Sequence, residues 1–476
     1  MTLIPQVSLP ELLFSRDARG PAMVDAEEEI TYPELARRVR AFAGGLRARG
    51  VARGEVVGIR LGNGIPFAVA FHGVLTVGAV AAPIAAGVPD DLADWQLGQL
   101  DAVLTVDSAT YPSLAAGPEY APDRYPDPAD LAALPFSSGT TGSPKAVELT
   151  HANLVANTVQ FAERVQLSAG QTCLSVLPFS HIYGLTALLN VPLYLGARVV
   201  AIDFSPEAFL HAHERYHVHT TFIAPPLATL LARHPLVDQV DFSALRFIVS
   251  GAAPLNVSTA KRAQERVGAR IVQGFGMTEA SPVTHLTVRD DTPLASIGDP
   301  LPETEAKIVD PESLEELDFG KVGELLVRGP QVMRGYYRDP EATAQALADG
   351  WLRTGDLATM TPDGQVTIID RLKDLIKSHG FSVSPVRLEE ILLTHPAVDD
   401  CAVIRGNHRG EECPVAAVVL RHDVESSELM RYVAARVAPY EQIREVRRIS
   451  AVPRSAAGKI LRRSLVLDSS DTGDTA

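Results

Sequence analysis

Residues Leu134-Pro-Phe-Ser-Ser-Gly-Thr-Thr-Gly-Ser-Pro-Lys145 place five hydroxyl side chains, Ser137, Ser138, Thr140, Thr141 and Ser143, around Gly139 and Gly142, and end on a lysine. Glycines let a backbone turn its N–H groups toward an anion, hydroxyls add donors, and the lysine adds charge. That chemistry suits a polyphosphate. The lysine is informative because the chain has only 7 Lys against 36 Arg. The stretch is not a Walker loop, which needs Ser or Thr after the lysine, where Ala146 stands here. A helical pattern from Thr150 onward brings a helix N-terminus close by. A plain polar linker is the alternative, and it fits poorly between two apolar runs.

Upstream, helix and strand signals alternate. Thr31-Tyr-Pro-Glu34 reads as a capping box, and Leu35, Val39, Phe42 and Leu46 follow at helical spacing up to Gly50. Val56–Leu61 reads as a strand, and Phe67–Ala82 as a buried helix running into a strand. Pro112–Pro135 reads as an irregular connection. Downstream, the alternation continues through Thr172–Leu177, Arg198–Ile202, Thr220–Ile223, Arg246–Val249 and Arg270–Gln273. These patterns predict an α/β fold with large, mostly parallel sheets and helices in residues 1–370. Short strands with glycine turns after Ser296, such as Glu305–Val309 and Gly323–Val327, predict a β-rich subdomain within it. A small α/β domain is expected over 374–467, beginning with a helix Ser384–Leu393 and followed by strands Cys401–Ile404 and Val415–Leu420 and a helix Ser426–Val437. The boundary falls at Arg371–Lys373, and 468–476 reads as a disordered tail.

Composition narrows the function. The chain has 476 residues, 46% hydrophobic and 21% charged, which suffices for a sizeable core and excludes a disordered protein. A net charge of −15 argues against general nucleic-acid binding. Residues 371–467 nonetheless carry a net +4, as a module covering an anionic ligand would. Cys173, Cys401 and Cys413 form no metal or disulfide pattern. No apolar run reaches a membrane span and no secretory leader is evident, so a cytoplasmic setting is expected.

Four more motifs carry chemistry. Pro178-Phe-Ser-His-Ile-Tyr-Gly184 sets His181 beside Tyr183. Ser250-Gly-Ala-Ala-Pro254 follows a strand with residues small enough for a flat ring to lie on backbone. In Gln273-Gly-Phe-Gly-Met-Thr-Glu279, two glycines allow close backbone approach, Thr278 can donate to a phosphate oxygen, and Glu279 can hold Mg²⁺ through oxygen. Pro453-Arg-Ser-Ala-Ala-Gly-Lys459 offers a second lysine on a mobile turn.

The ordered set resembles the adenylate-forming (ANL) superfamily, within it the acyl-CoA and aryl-CoA synthetase branch similar to 4-coumarate–CoA ligase. The likeness runs from about Thr31 to Arg463. It implies ATP-dependent activation of a carboxylic acid to an acyl-adenylate, release of pyrophosphate, and transfer to a thiol, with ATP, Mg²⁺ and CoA, or a carrier protein's phosphopantetheine, as partners. It further implies that Ser137, Ser138, Gly139, Thr140, Thr141, Gly142 and Lys145, with Gly251, Ala252, Ala253, Gln273, Gly274, Phe275, Gly276, Met277 and Thr278, surround the nucleotide. Glu279 matches the metal-binding acid. Asp356 and Arg371 match the ribose-binding pair, Lys373 the hinge of a swinging C-terminal domain, and Lys459 the lysine that bridges carboxylate and α-phosphate. Lys459, Thr278 and His181 are thus the expected catalytic residues. His181, Tyr183, Ala187, Val249, Ala252, Gly274, Gly276 and Val283 are expected at the acyl site. They include no acid for a substrate amine, which favours an aryl or bulky apolar acid.

Two departures stand out. In the thiol-step loop Lys377-Ser-His-Gly-Phe-Ser-Val383, His379 stands before Gly380 where the family commonly has Lys, and Ser382 stands where it has Gln. The hydroxyl loop also begins about fifty residues earlier than in plant-type relatives, with Gly87–Val103 apparently shortened. A ligase that stops at the adenylate or loads a carrier protein therefore stays open beside a CoA ligase. So does a catalytically silent nucleotide-binding protein, against which the intact Lys459, Glu279 and hydroxyl loop speak. Nothing selects a luciferase-like oxygenase.

Overall fold

The computed structural model describes residues 3–137, 144–286, 289, 291–379, 381–408, 411–455 and 458–467. The chain forms two compact units: Met1–Ala306 with Val327–Arg353, and Lys307–Leu326 with Thr354–Ala476.

The first unit holds two large sheets. The eight-stranded one runs, in order, Val283–Leu286, Arg270–Gly276, Phe247–Ser250, Thr220–Ile223, Thr172–Ser175, Arg198–Ala201, Pro21–Val24 and Glu29–Thr31. Its six inner strands are parallel, and the outermost strand at each end is antiparallel to its neighbour. Phe209, Leu210, Leu227, Leu231, Ala260 and Ala263, from helices Pro206–Arg215, Pro225–Arg233 and Val257–Val267, pack on Leu174, Val200, Ile223, Ile248 and Ile271 of this sheet. A parallel sheet needs this covering, since its strands are apolar on both faces.

The six-stranded sheet runs Gly335–Tyr336, Val147–Thr150, Leu131–Ala133, Val80–Pro83, Val56–Ile59 and Leu104–Val106. Helix Ile65–Thr76 is buried almost throughout, as its uninterrupted apolar sequence requires. Helix Tyr32–Ala48 begins at Thr31, whose side chain accepts from the Glu34 N–H, and buries Leu35, Val39, Phe42 and Leu46. Glu34 differs from the expected capping box: its carboxylate takes Arg37 and Arg38, two guanidinium partners one turn on. The predicted irregular stretch 112–135 also differs. It contains most of a short helix, Tyr111–Ala115, and the strand Leu131–Ala133, which pairs in parallel with Val80–Pro83 through Ala133 and Ala81. Three small residues give no periodicity to read, and only the neighbouring strands make them a strand.

In the second unit, Thr354–Met360 pairs antiparallel with Val366–Arg371. Strands Val398–His408, Glu411–Leu420 and Glu445–Arg448 form a sheet backed by helices Pro385–Leu393 and Ser426–Ala434. Helix Pro385–Leu393 starts at the expected cap, Ser384. The hairpin strands outrun their apolar centres, because ladder pairs such as Asn407 with Glu412 extend them through polar residues. Among the described residues no helix is long and apolar enough to cross a membrane.

Candidate active site

In the first unit, the chain on either side of the hydroxyl loop is drawn together. Ser137 N donates to Lys145 O at 2.8 Å, and Phe136 bridges Ala146. Ser138, Gly139, Thr140, Thr141, Gly142 and Ser143 lie outside the described residues. Lys145 Nζ is 3.3 Å from Asp339 Oδ2 and 5.1 Å from the ring centroid of Tyr336.

The second wall is the turn after strand Arg270–Gly276. A Cβ at Gly276 would come within 2.1 Å of Pro282 O, so only glycine permits this approach. Thr278 and Glu279 follow in a short 3₁₀ turn, both buried. The Tyr336 hydroxyl donates to Glu279 Oε1 at 2.8 Å, and Met333 N donates to Glu279 O at 2.8 Å. Burial, with the Glu279 charge beside it, pushes the Tyr336 phenol well above its ordinary pKa. Gln273 acts as a strut: its Oε1 accepts from Leu255 N and its Nε2 donates to Leu294 O. Ala252 holds a φ of 70°, a left-handed conformation that is sterically costly for a residue with a Cβ. It lies immediately after Gly251, whose missing side chain leaves room for the Tyr183 ring, 3.0 Å from a Cβ placed there.

Tyr183 is buried, its hydroxyl donating to Val249 O at 3.2 Å, and its backbone N donates to His181 Nδ1 at 3.2 Å. Ala187 lies in a π-helical segment, Gly184–Asn190, a geometry often found at functional sites. Val283 is pinned by Asn157, which gives an N–H to Val283 O at 2.7 Å and takes one from Val283 N at 3.0 Å. A Cβ at Gly274 would be in ordinary contact with Val249 and Leu286. Tyr183, Ala187, Val249 and Val283 are all buried.

In the second unit, Asp356 and Arg371 stand opposite each other in the ladder, and Arg371 Nε is 3.0 Å from Asp356 Oδ1. Asp356 is 3% exposed, and among the described residues its Oδ2 has no partner. Desolvation raises its pKa, against the opposing pull of Arg371, Lys459 and Lys373. A buried carboxylate oxygen with nothing to accept from is costly unless a ligand hydroxyl supplies the bond. Lys373 is pushed down to about 8 by burial and by Arg371 and Lys459 nearby. Lys459 sits on a turn in which Ser455 N donates to Lys459 O and Lys459 N to Ser455 Oγ. Two ion pairs brace this turn: Arg454 is bidentate to Asp400 and donates to Gly458 O, and Arg462 grips the buried Glu389. In the thiol-step loop, Lys377 Nζ donates to Ser382 Oγ at 2.7 Å and His379 Nδ1 is 3.1 Å from Glu411 Oε2. Gly380 lies outside the described residues.

Among the described residues no cluster of three or more acids, histidines or cysteines could hold a metal. Mg²⁺ fits such a site when phosphate oxygens and water supply most of its ligands and one carboxylate the remainder. One unit holds a lysine and a braced carboxylate, and the other holds a buried acid beside an arginine, with a lysine-bearing turn; these are the residue types that the class of adenylate-forming enzymes requires. Sequence reasoning missed Tyr336, Asp339 and Asn157. All three are far in sequence from the motifs they support.

Comparison with known proteins agrees. A family model described as AMP-binding enzyme matches residues 14–337, and one for the AMP-binding enzyme C-terminal domain matches 387–459. A 4-coumarate–CoA ligase of Pinus taeda is 35% identical, covering 94% of this chain and 92% of its own length. ATP-bound MatB from Rhodopseudomonas palustris matches with a TM-score of 0.92 at 25% identity, covering 98% of this chain and 99% of that one. o-Succinylbenzoate CoA synthetase from Bacillus subtilis, in complex with its acyl-adenylate intermediate, matches at 0.86 and 28% identity, covering 97% and 98%. The chain belongs to the AMP-binding enzyme family. It is an AMP-forming acid–thiol ligase that works with ATP, Mg²⁺ and CoA.

Proposed function

We propose that the chain joins an aryl or bulky apolar carboxylic acid to CoA, with the roles below. The observation that carries the substrate class is the lining of the acyl site. Tyr183, Ala187, Val249 and Val283 are buried and apolar or aromatic, Gly274 and Gly276 add no side chain, and none of the six bears a charge. Two relatives, a coumarate ligase and a succinylbenzoate synthetase, are named for aryl acids as well.

In the first step a substrate carboxylate oxygen attacks the α-phosphorus of ATP. An O–P bond forms, the bond to the β-phosphate oxygen breaks, and pyrophosphate leaves. Two anions must meet, so donors and cations aimed at the developing charge lower the barrier. Thr278, Lys145 with the hydroxyl loop, and Lys459 supply them, Asp356 and Arg371 hold the ribose, and His181 borders the acid. Bound at Glu279, Mg²⁺ would neutralise phosphate charge. In the second step the CoA sulfur attacks the acyl carbon, its proton goes to solvent, and AMP leaves. Residues 374–467 would turn about Lys373 between the steps and present Lys377, His379 and Gly380. A cytoplasmic setting suits these co-substrates.

A pyrophosphate-release screen across carboxylic acids, with and without CoA, tests the reading. Aryl acids should release pyrophosphate and form thioesters; preference for short aliphatic or amino acids would refute the substrate class. One observation favours a carrier-protein acceptor instead. His379 Nδ1 lies beside Glu411 and the Lys377 backbone N–H donates to Glu412, and an acidic neighbourhood is unfavourable for the phosphates of free CoA. His379→Lys separates the two: if free CoA is the acceptor, KM for CoA falls in the variant and wild-type turnover is already substantial.

A further inference from the structure

We propose that Tyr336 is a positioning residue for adenylation, joining the carboxylate of Glu279 to the ammonium of Lys145 through one side chain. The inference rests on the assignment of Glu279 to the metal and Lys145 to phosphate. The short strand Gly335–Tyr336 pairs antiparallel with Val147–Thr150, with Gly335 opposite Glu148 and Tyr336 opposite Val147. Tyr337 N continues the ladder to Ala146 O at 2.9 Å, directly after Lys145. At the other end, Met333 N bonds Glu279 O. The strand therefore ties the exit of the hydroxyl loop to the acid-bearing turn by backbone alone.

The side chain repeats the link. Its hydroxyl donates to Glu279 Oε1 at 2.8 Å, while its ring faces Lys145 Nζ at 5.1 Å from the centroid. Asp339, three residues on, takes the same ammonium at 3.3 Å. Tyr336 is itself fixed, since its N–H donates to Thr343 Oγ1 at 2.9 Å and that hydroxyl donates to Asp339 O at 2.8 Å. A phenol that occupies Oε1 commits the carboxylate to one orientation and leaves Oε2 for a cation. The ring meanwhile holds the lysine by cation–π attraction without neutralising it. Partners that orient a metal-binding carboxylate in this way typically contribute 10–100-fold to metal affinity.

The test uses the full-length enzyme carrying Tyr336→Phe, which keeps the ring and removes the hydroxyl. Three quantities are measured: the Mg²⁺ dependence of acid-dependent ATP–pyrophosphate exchange, Mn²⁺ binding by electron paramagnetic resonance in the presence of a non-hydrolysable ATP analogue, and transfer from pre-formed acyl-adenylate to CoA. Half-saturating metal should rise about tenfold in the first two, with the transfer rate unchanged. Tyr336→Leu, which also removes the ring, should add a rise in KM for ATP at saturating metal. Wild-type metal titrations in Tyr336→Phe, or equal slowing of both half-reactions, would overturn the proposal. Glu279→Gln serves as the control. If it shifts the metal titration and Tyr336→Phe does not, only the role of Tyr336 fails; if neither shifts it, the assignment of Glu279 fails as well.

Discussion

Asp356→Asn separates a ligand-binding acid from a structural one. Asp356 Oδ1 already has Arg371 at 3.0 Å, and Oδ2 has no partner among the described residues. In the amide, the oxygen can keep Arg371, which turns an N–H donor toward the position of Oδ2. A hydroxyl that donated to a charged oxygen loses that bond, and such bonds contribute about 1.5–3 kcal/mol. KM for ATP should therefore rise about 10–100-fold. Stability should move the other way. The folded-state pKa of Asp356 is raised above 3.8, chiefly by desolvation. A raised carboxyl adds stability below its unfolded pKa and loses it as pH climbs through the folded value. At neutral pH the carboxyl is thus a burden on the fold, and the amide should melt at or above the wild-type temperature. Calorimetry and steady-state exchange kinetics on one preparation read both. An unchanged KM for ATP with an intact fold would refute the ribose role, and a lowered melting temperature would refute the electrostatic reasoning.

Lys459→Ala should slow adenylation about 10²–10³-fold, the typical loss on deleting one charge-stabilising donor, while transfer from pre-formed adenylate to CoA persists; single-turnover assays of each step decide it. Gly274→Ala should fold normally, since its Cβ meets Val249 Cγ1 at 3.4 Å, but raise KM for bulky acids relative to small ones. Gly276→Ala should express poorly or melt early, because its Cβ would lie 2.1 Å from a backbone oxygen. His72 is fully buried between Phe14 and Phe71, neither ring nitrogen has a partner among the described residues, and burial pushes its pKa down to about 3. The unfolded chain then binds the extra proton between about pH 6.5 and 3, so stability is full above that window and declines as pH falls through it. His72→Leu should flatten the acid limb of a stability-against-pH profile by an amount on the order of 5 kcal/mol across the window; an unaltered profile would show that His72 does not drive acid unfolding.

Local chemistry made much of this protein legible before folding was considered. The strands Thr220–Ile223 and Arg270–Gly276, and the helix opening at Ser384, follow from apolar runs and caps that act over a few residues. Motifs behave likewise: Gly276 beside Thr278 and Glu279, or Gly458 beside Lys459, carry their chemistry within one turn of chain. Leu131–Ala133 was not legible, because its strand character comes from Val80–Pro83 rather than from itself.

The sequence by itself determined the reaction class, since the ordered motifs at 134–145, 273–279 and 453–459 are contiguous patterns that carry the resemblance to adenylate-forming enzymes. Only the tertiary structure decided how those groups are held. Tyr336 reaches Glu279 across 57 positions and Asn157 reaches Val283 across 126. Whether Asp356 Oδ2 stays unpaired depends on the packing that buries it. Such contacts form between segments distant in the chain, where no local preference records the partner and only the packing of helix against strand and of strand against turn brings the atoms within bonding distance.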